Sequence, residues 1–335
     1  MNIYKKIFAV SFLIIFLFSF SNKVFSYSNT ILIIESYHSQ YEWDKSYIKG
    51  LRNKLGQNYK FVFFEMDTKR IPESSYRQQA ELAWKTFQRI KPILVFLCDD
   101  NAFKLLAPKF ETTDIPVIYL GINNNPRLII SGTWGLNRKF TGVLERPNYF
   151  RSIKYISSLL NARKIAVLFD AGETSKTIKS EVFNNNNSVI IDDVCVDLYS
   201  IKKFSQWKIT VNGLKKGGYD AAIIGLYHTI VDEKGNHVSE QDIIYWTSTN
   251  IKVPPFGFWD FSIGRNRTIG GYIMSGEEQG LKAGEIALKI LSGEEPSSIF
   301  PFYMENSRFL FSRSGLKKWR IILPENIRNS AFYTD

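Results

Sequence analysis

The sequence predicts an α/β protein of two lobes, each built on a parallel sheet that helices cover. Three observations support this: short apolar runs alternate with amphipathic segments, the pattern restarts once near residue 145, and the chain has 335 residues. Strands buried on both faces are nearly continuous in apolar residues, and strand–helix alternation forces parallel pairing through right-handed crossovers. At about 100 to 200 residues per domain, this length accommodates two lobes.

The first lobe is predicted over residues 29–141. Its strands are expected at residues 31–34, 61–64, 93–97 and 117–120, which are short apolar runs. The clearest helix is expected over residues 74–90, where apolar side chains recur at spacings of three, four and seven. An amphipathic segment that contains Tyr47 and Leu55 follows the first strand.

The second lobe is predicted over residues 145–268, where a helix that contains Phe150 and Leu160 restarts the pattern. Strands are expected at residues 165–169, 189–196, 221–225 and 255–258, with helices near 173–183, 204–215 and 239–250. An extended hinge strand is predicted over residues 141–145, and a second crossing between the lobes over residues 270–275. Together they make a hinged cleft that can close.

A last strong helix, residues 277–291, is expected to complete the first lobe as part of residues 272–295. Its small residues, among them Gly280 and Gly284, permit close packing, and Ser292 with Gly293 forms a helix stop. Residues 296–335 are predicted to be a tail near the hinge. They contain one β-prone piece, residues 308–311.

Residues 1–26 have the pattern of a cleaved export signal. Lys5 and Lys6 precede a 14-residue, almost wholly apolar run from residue 7 to residue 20. An uncleaved membrane anchor is the alternative, although a spanning helix needs about 20 residues. No cysteine stands near the predicted cleavage site, which argues against a lipoprotein anchor. We therefore expect a soluble, exported protein.

The composition argues against several function classes. The net charge is +11, but its lysines and arginines are scattered, so no nucleic-acid partner is predicted. Cys98 and Cys195 stand in apolar runs without zinc spacing, and both are predicted to be core residues. The sequence holds no glycine-rich phosphate motif and no GxSxG nucleophile elbow. We predict no metal, no cofactor and no catalytic residue.

Polar and aromatic residues follow the predicted strands, at the sheet edge where open parallel sheets bind ligands. Two facing rims of hydroxyls, amides, carboxylates and rings describe a pocket for a small polar molecule with a planar or apolar part. This pattern favours binding over catalysis. The candidate ligand-binding residues are Ser36, Tyr37, His38, Trp43, Asp99, Asp100, Asn101, Asn123, Asp170, Ser175, Tyr227, Trp259 and Asp260.

Several candidates also have a purely structural interpretation. Asp100, Asn101 and Ser175 stand where helix N-caps stand. His38 fits a hydrogen-bonding loop position, and both tryptophans fit the core as well as a ligand-stacking position. A metal site would need two histidines and a carboxylate to converge, which the spacing does not support.

Five blocks of sequence carry a resemblance that covers nearly all of the chain after residue 26. They are residues 34–38 with Trp43 and Gly50, residues 99–103, residues 114–117 with 121–123, residues 141–145, and residues 279–284 with 290–294. In these blocks the chain resembles the ABC transporter substrate-binding proteins with the periplasmic binding protein-like I fold, a family also found as bacterial sensor domains. The resemblance implies two Rossmann-like lobes, joined by three crossings, that close on a small ligand.

The resemblance also implies a function. It predicts an extracytoplasmic solute-binding protein, not an enzyme, that delivers a small polar or aromatic, amino-acid-like molecule to an ABC transporter permease. The alternative is a ligand-binding sensory subunit that docks on a membrane histidine kinase or cyclase. An exported α/β enzyme dependent on His38 is a third hypothesis with weaker support. Because Gram-positive members usually carry a lipid anchor, we expect a free, monomeric periplasmic protein of a Gram-negative bacterium.

Overall fold

The computed structural model describes residues 29–130, 139–303 and 308–335, and the predicted export signal lies outside these ranges. In the first part of the chain, seven elements alternate between strand and α-helix, and one more strand follows them. They are β1 (Thr30–Glu35), α1 (Glu42–Leu55), β2 (Lys60–Glu65), α2 (Tyr76–Ile90), β3 (Leu94–Cys98), α3 (Asp99–Phe110), β4 (Val117–Ile122) and β5 (Phe140–Leu144).

The second part of the chain repeats this alternation and then adds a tail. The elements are α4 (Tyr149–Leu160), β6 (Lys164–Asp170), α5 (Glu173–Glu181), β7 (Ser188–Ile191), β8 (Val194–Ile201), α6 (Phe204–Gly213), β9 (Ala221–Ile224), α7 (Glu240–Asn250), β10 (Pro255–Gly257), β11 (Gly270–Ile273), α8 (Gly276–Leu291), β12 (Phe302–Tyr303), β13 (Arg308–Ser312), α9 (Arg313–Trp319), α10 (Glu325–Ser330) and β14 (Phe332–Thr334).

Two large sheets confirm the predicted fold class. One has six strands in the order β12-β5-β4-β3-β1-β2, and every neighbouring pair is parallel. The other has five strands in the order β10-β9-β6-β8-β7, parallel except for the edge pair β7 and β8. Every residue of β1, β3, β4 and β9 is buried, as expected for strands covered on both faces.

The prediction of one continuous strand over residues 189–196 is wrong. β7 and β8 form an antiparallel hairpin in which Ile191 pairs with Val194. The two residues between them, Asp192 and Asp193, have φ values of 46° and 65°, the left-handed conformation that a two-residue hairpin turn requires. Cys195 on this hairpin is half-buried, so its assignment to the core is also wrong, whereas Cys98 is buried as predicted.

The tail forms a small third sheet. β13 pairs antiparallel with β11 and parallel with β14, which confirms the predicted β-strand near residue 308. β11 follows the second large sheet and directly precedes α8, so the third sheet lies where the chain passes between the two halves. In the part of the chain that the structure describes, no helix has the length and apolar character to cross a bilayer.

Helix α8 packs closely against α1, beside the six-stranded sheet. A methyl group placed on Gly280 would lie 1.9 Å from the carbonyl oxygen of Tyr47, and one on Gly50 would lie 2.1 Å from that of Glu277. These distances are far inside van der Waals contact, so the two helices touch through backbone atoms. Only residues without a side chain allow this approach.

We predict that Gly280→Ala lowers the free energy of unfolding by about 1 to 3 kcal/mol, because the added methyl group forces the two helices apart. Gly213→Ala is the matched control, since a methyl group there meets no atom within 4 Å. In the control the helix-favouring methyl group should add up to about 1 kcal/mol. Urea unfolding measures both variants, and equal effects would contradict the close helix contact.

Candidate functional site

An internal cavity lies where the carboxyl ends of the two large sheets face each other. In this conformation its volume is about 10 Å³, which is room for a single water molecule. The six-stranded sheet contributes residues that follow β1, β2, β3 and β5, and the five-stranded sheet contributes residues that follow β6, β9 and β10. The lining residues are Tyr37, Tyr41, Trp43, Lys69, Asp99, Glu145, Thr174, Leu226, Trp259 and Phe261.

Contacts between the two halves close this cavity. The hydroxyl groups of Tyr37 and Thr174 share a hydrogen bond of 3.4 Å across it. Further out, the Lys104 ammonium lies 3.0 Å from the Glu173 carboxylate. The described conformation is therefore a closed one, in which little of the lining meets solvent.

Asp99 places a carboxyl group in the cavity wall. It is the first residue of α3 and has a φ of 65°, an uncommon conformation for a residue with a side chain. Its Oδ1 accepts a hydrogen bond from the Trp43 indole N–H at 3.2 Å, and its Oδ2 is buried without a hydrogen-bond partner. Burial raises the pKa of Asp99 well above its usual range, and the nearby Glu145 raises it further.

Glu145 provides a second buried carboxyl group, directly after β5. Its Oε1 accepts the Trp259 indole N–H at 2.6 Å, and its Oε2 accepts the Asn123 side-chain amide at 2.9 Å. Burial raises the pKa of Glu145 to about 7, although the hydrogen bond from Trp259 favours the ionised form. The carboxyl group therefore changes charge within the physiological pH range.

One ammonium group faces these two carboxyl groups. Lys69 follows β2, and its Nζ lies 4.3 Å from the ring centroid of Tyr37 and 5.6 Å from that of Tyr41. Aromatic faces attract such a cation. Its charge also favours ionisation of both Asp99 and Glu145.

Aromatic rings form the rest of the wall. Trp259 and Phe261 stack with centroids 5.9 Å apart and planes 13° apart, and Tyr41 lies 5.9 Å from Phe261. Trp43 and Trp259 are both buried and both line the cavity, so each tryptophan is a core residue and also part of the cavity wall. Each also donates its indole N–H to one of the two carboxyl groups.

Of the predicted site residues, Tyr37, Trp43, Asp99 and Trp259 line the cavity. Four others support the wall from behind. The Ser36 hydroxyl donates to the Cys98 carbonyl oxygen, and the Asn101 amide donates to Thr68. The Asp100 carboxylate accepts backbone N–H groups of Asn123 and Asn124, and Asn123 in turn holds Glu145.

The remaining predicted residues lie outside the lining. Asp170 accepts hydrogen bonds from the Ser175 hydroxyl at 2.6 Å and from the Thr229 N–H at 3.0 Å, which ties two loops of the five-stranded sheet together. Asp260 accepts the Gly276 N–H at the start of α8. His38 lies beside the Tyr41 ring, and Tyr227 stacks on the His228 imidazole. All four side chains are buried, and burial lowers the pKa of His38 and of His228.

Sequence reasoning missed six lining residues: Tyr41, Lys69, Glu145, Thr174, Leu226 and Phe261. The position of Glu145 directly after a predicted strand was a usable signal. Lys69 stands in a polar loop with no feature that separates it from other surface lysines. Among the described residues, no group of three or more His, Cys, Asp or Glu has an arrangement suited to a metal ion.

We predict that Trp259→Phe raises the pKa of Glu145 above about 7, because the indole N–H that favours its ionised form is lost. It should also lower the free energy of unfolding by about 1 to 3 kcal/mol. Carboxyl NMR titration measures the pKa and urea unfolding the stability.

Trp207→Phe is the control for this prediction. It removes an equally buried indole N–H, which Trp207 donates to the Thr247 hydroxyl at 2.8 Å outside the cavity lining. This variant should lose stability and leave the Glu145 titration unchanged. A Glu145 pKa that is the same in the native chain and in Trp259→Phe would contradict the assigned hydrogen bond.

Comparisons with known proteins identify the family. The ABC transporter substrate binding protein family model matches residues 92–334. No curated protein matches the sequence. Among solved structures, an ABC domain in complex with L-Trp from Streptococcus pneumonia is similar, with 16% identity, a TM-score of 0.65 and coverage of 91% of this chain and 99% of that one.

Two further solved structures share the fold. A conserved domain protein from Vibrio cholerae has 14% identity, a TM-score of 0.66 and coverage of 92% of this chain and 100% of its own. A ligand-free, open substrate binding protein with adhesive properties from Clostridium difficile has 16% identity, a TM-score of 0.61 and coverage of 91% and 99%. The resemblance found from the sequence is confirmed, and the chain belongs to the ABC transporter substrate-binding protein family.

Proposed function

We propose that this chain closes on a small molecule with a protonated amine, a carboxylate and a planar apolar part, for which an aromatic amino acid is the best match. One observation carries the proposal. Two buried carboxyl groups and one ammonium group share a closed cavity whose other walls are aromatic rings.

The carboxyl groups of Asp99 and Glu145 suit an amine. The buried Oδ2 of Asp99 lacks a hydrogen-bond partner, and leaving such a group unpaired is costly. A ligand ammonium would supply the missing donor and the opposite charge, and charge-assisted hydrogen bonds are the strong ones. A ligand anion at this position would instead face two carboxyl groups.

Lys69 suits the carboxylate of the same ligand. Its ammonium lies over the Tyr37 ring, 4.3 Å from the ring centroid, and it lines the same cavity as the acidic groups. One cation and two carboxyl groups that line one small cavity match a zwitterion better than a simple amine. The stacked Trp259 and Phe261 rings offer a planar surface to the ligand's apolar part.

The cavity's enclosure implies that binding requires opening and closing. We assign the lobes to residues 29–141 with 272–295 and to residues 145–268, hinged at residues 141–145 and 270–275. The Tyr37–Thr174 and Lys104–Glu173 contacts between the two halves would break on opening. Closure buries the ligand between the lobes and presents a changed surface to a membrane partner. No chemistry on the ligand is part of this proposal.

The proposal includes export to the periplasm, through the signal predicted at residues 1–26, and delivery to an ABC transporter permease. A solved structure that matches this fold over 91% of the chain is in complex with L-Trp, so the fold is compatible with a ligand of this class. A solute-binding protein from Bacillus halodurans with bound myo-inositol also shares the fold, with a TM-score of 0.53. Fold alone therefore does not identify the ligand, and the proposed ligand class rests on the charged groups of the cavity.

Calorimetric titration with three related probes tests the ligand class. We predict that L-tryptophan binds, that tryptamine, which lacks the carboxylate, binds about tenfold more weakly, and that indole-3-propionate, which lacks the amine, binds at least about a hundredfold more weakly. Asp99→Asn should weaken L-tryptophan by a similar hundredfold.

Ser175→Ala is the control for this series, because its hydroxyl bonds to Asp170 outside the cavity lining. It should keep the native affinity for L-tryptophan. Tight binding of the amine-free acid, or full affinity in Asp99→Asn, would contradict the proposed role of the buried carboxyl groups.

Affinity for an amine-bearing ligand should depend on pH. Since the pKa of Glu145 is about 7 in the empty protein, this group is largely protonated at about pH 5. A bound ammonium favours the ionised form, so binding releases a proton below pH 7. We predict that affinity rises as pH increases from about 5 to 7, by up to about tenfold per unit for one proton, and then levels off.

Titration calorimetry in two buffers of different ionisation enthalpy counts the released protons at about pH 6. A constant affinity between about pH 5 and 7, with no proton release, would contradict the assignment of Glu145 to the amine site.

A further inference from the structure

Strand β2 ends the six-stranded sheet with an unpaired edge. Among the described strands it pairs only with β1. The backbone N–H groups of Lys60 and Met66 donate to the carbonyl oxygens of Asn29 and Glu35, so the even-numbered residues of this strand face β1. The odd-numbered residues Phe61, Phe63 and Glu65 therefore direct their N–H and C=O groups away from the sheet.

Between its charged end residues, Lys60 and Glu65, this edge has neither the bulge nor the proline that often protects a strand. Its register with β1 runs unbroken from residue 60 to residue 65, so there is no bulge, and the strand contains no proline. Residues 61–64 are all apolar, and all are half-buried. Exposed, regular and apolar edge strands form intermolecular sheets unless something covers them.

We propose that, in place of the monomer expected from the sequence, a second copy of this chain covers the edge, with the two β2 strands antiparallel about a two-fold axis through Phe63. In an antiparallel pair, residues that direct their hydrogen-bonding groups toward the partner stand opposite each other. An axis through Phe63 pairs it with Phe63 of the other copy and pairs Phe61 with Glu65 of the other copy. This register uses all three outward residues of the strand.

Charge complementarity supports the same register. The Arg52 guanidinium of α1 lies over the rings of Phe61 and Phe63, at 5.6 Å and 5.3 Å from their centroids. Because residues directly opposite share a face, Glu65 of the other copy would lie beside Phe61 and next to Arg52. The two-fold axis creates this ion pair twice.

Both members of the pair are accessible to a second copy. Arg52 and Glu65 are exposed, and neither has an ion-pair partner within residues 29–130, 139–303 and 308–335. Glu65 also lies next to Glu35 in the β1–β2 register. The pKa of the buried Glu35 carboxyl is raised to about 8, mainly by burial and secondly by the charge of Glu65. A guanidinium from the second copy would offset this like-charge contact.

Sedimentation velocity of the purified full-length chain, over about 1 to 100 µM, tests the proposal. We expect a concentration-dependent monomer–dimer equilibrium. Arg52→Glu and Glu65→Arg should each weaken dimerisation by about tenfold, since each places like charges together twice. The double variant restores opposite charges and should return to within about threefold of the native dissociation constant.

Lys60→Glu is the matched control, because Lys60 stands on the same strand but its side chain points to the opposite face. It should dimerise within about threefold of the native chain, and all variants should show native circular dichroism. A native chain that stays monomeric throughout would overturn the proposal. A dimer that both single reversals leave unchanged, or that the double variant does not restore, would overturn it equally.

Discussion

The burial of two carboxyl groups, Asp99 and Glu145, beneath aromatic walls is the constraint on which the cavity depends. Each carboxyl group would lose much of its hydration there, and each is held by one indole N–H, from Trp43 and Trp259 respectively. These hydrogen bonds compensate only in part for the lost hydration, because the pKa of both carboxyl groups remains raised. Under the proposed function, a ligand cation between them would complete the compensation.

The fold provides this arrangement through the ends of its strands. Asp99 follows β3 and Glu145 follows β5, so parallel pairing brings both to one edge of the six-stranded sheet. Trp259 follows β10 in the other sheet and reaches across to Glu145 at 2.6 Å. Glu145 stands at the end of the segment proposed as a hinge, residues 141–145, so this bond ties the hinge to the five-stranded sheet.

Much of the fold was predictable because the signals are local. Apolar runs and helical periodicity placed the strands of both sheets, and the small residues of α8 indicated its close packing. The β7–β8 hairpin was missed because Asp192 and Asp193 adopt positive φ inside a run that reads as continuously β-prone. The site was less predictable. Position after a strand identified Asp99 and Trp259, but Thr174 and Lys69 join the lining only through three-dimensional closure.

The family assignment and the cavity's charges answer different questions. The family establishes a substrate-binding protein, while the ligand is inferred from side chains that line one cavity. A crystal structure of the chain with bound L-tryptophan tests that inference most directly. The account predicts the ligand's amino nitrogen within about 3.2 Å of Asp99 Oδ2 and its carboxylate toward Lys69. A ligand bound in the reverse orientation, or outside this cavity, would contradict it.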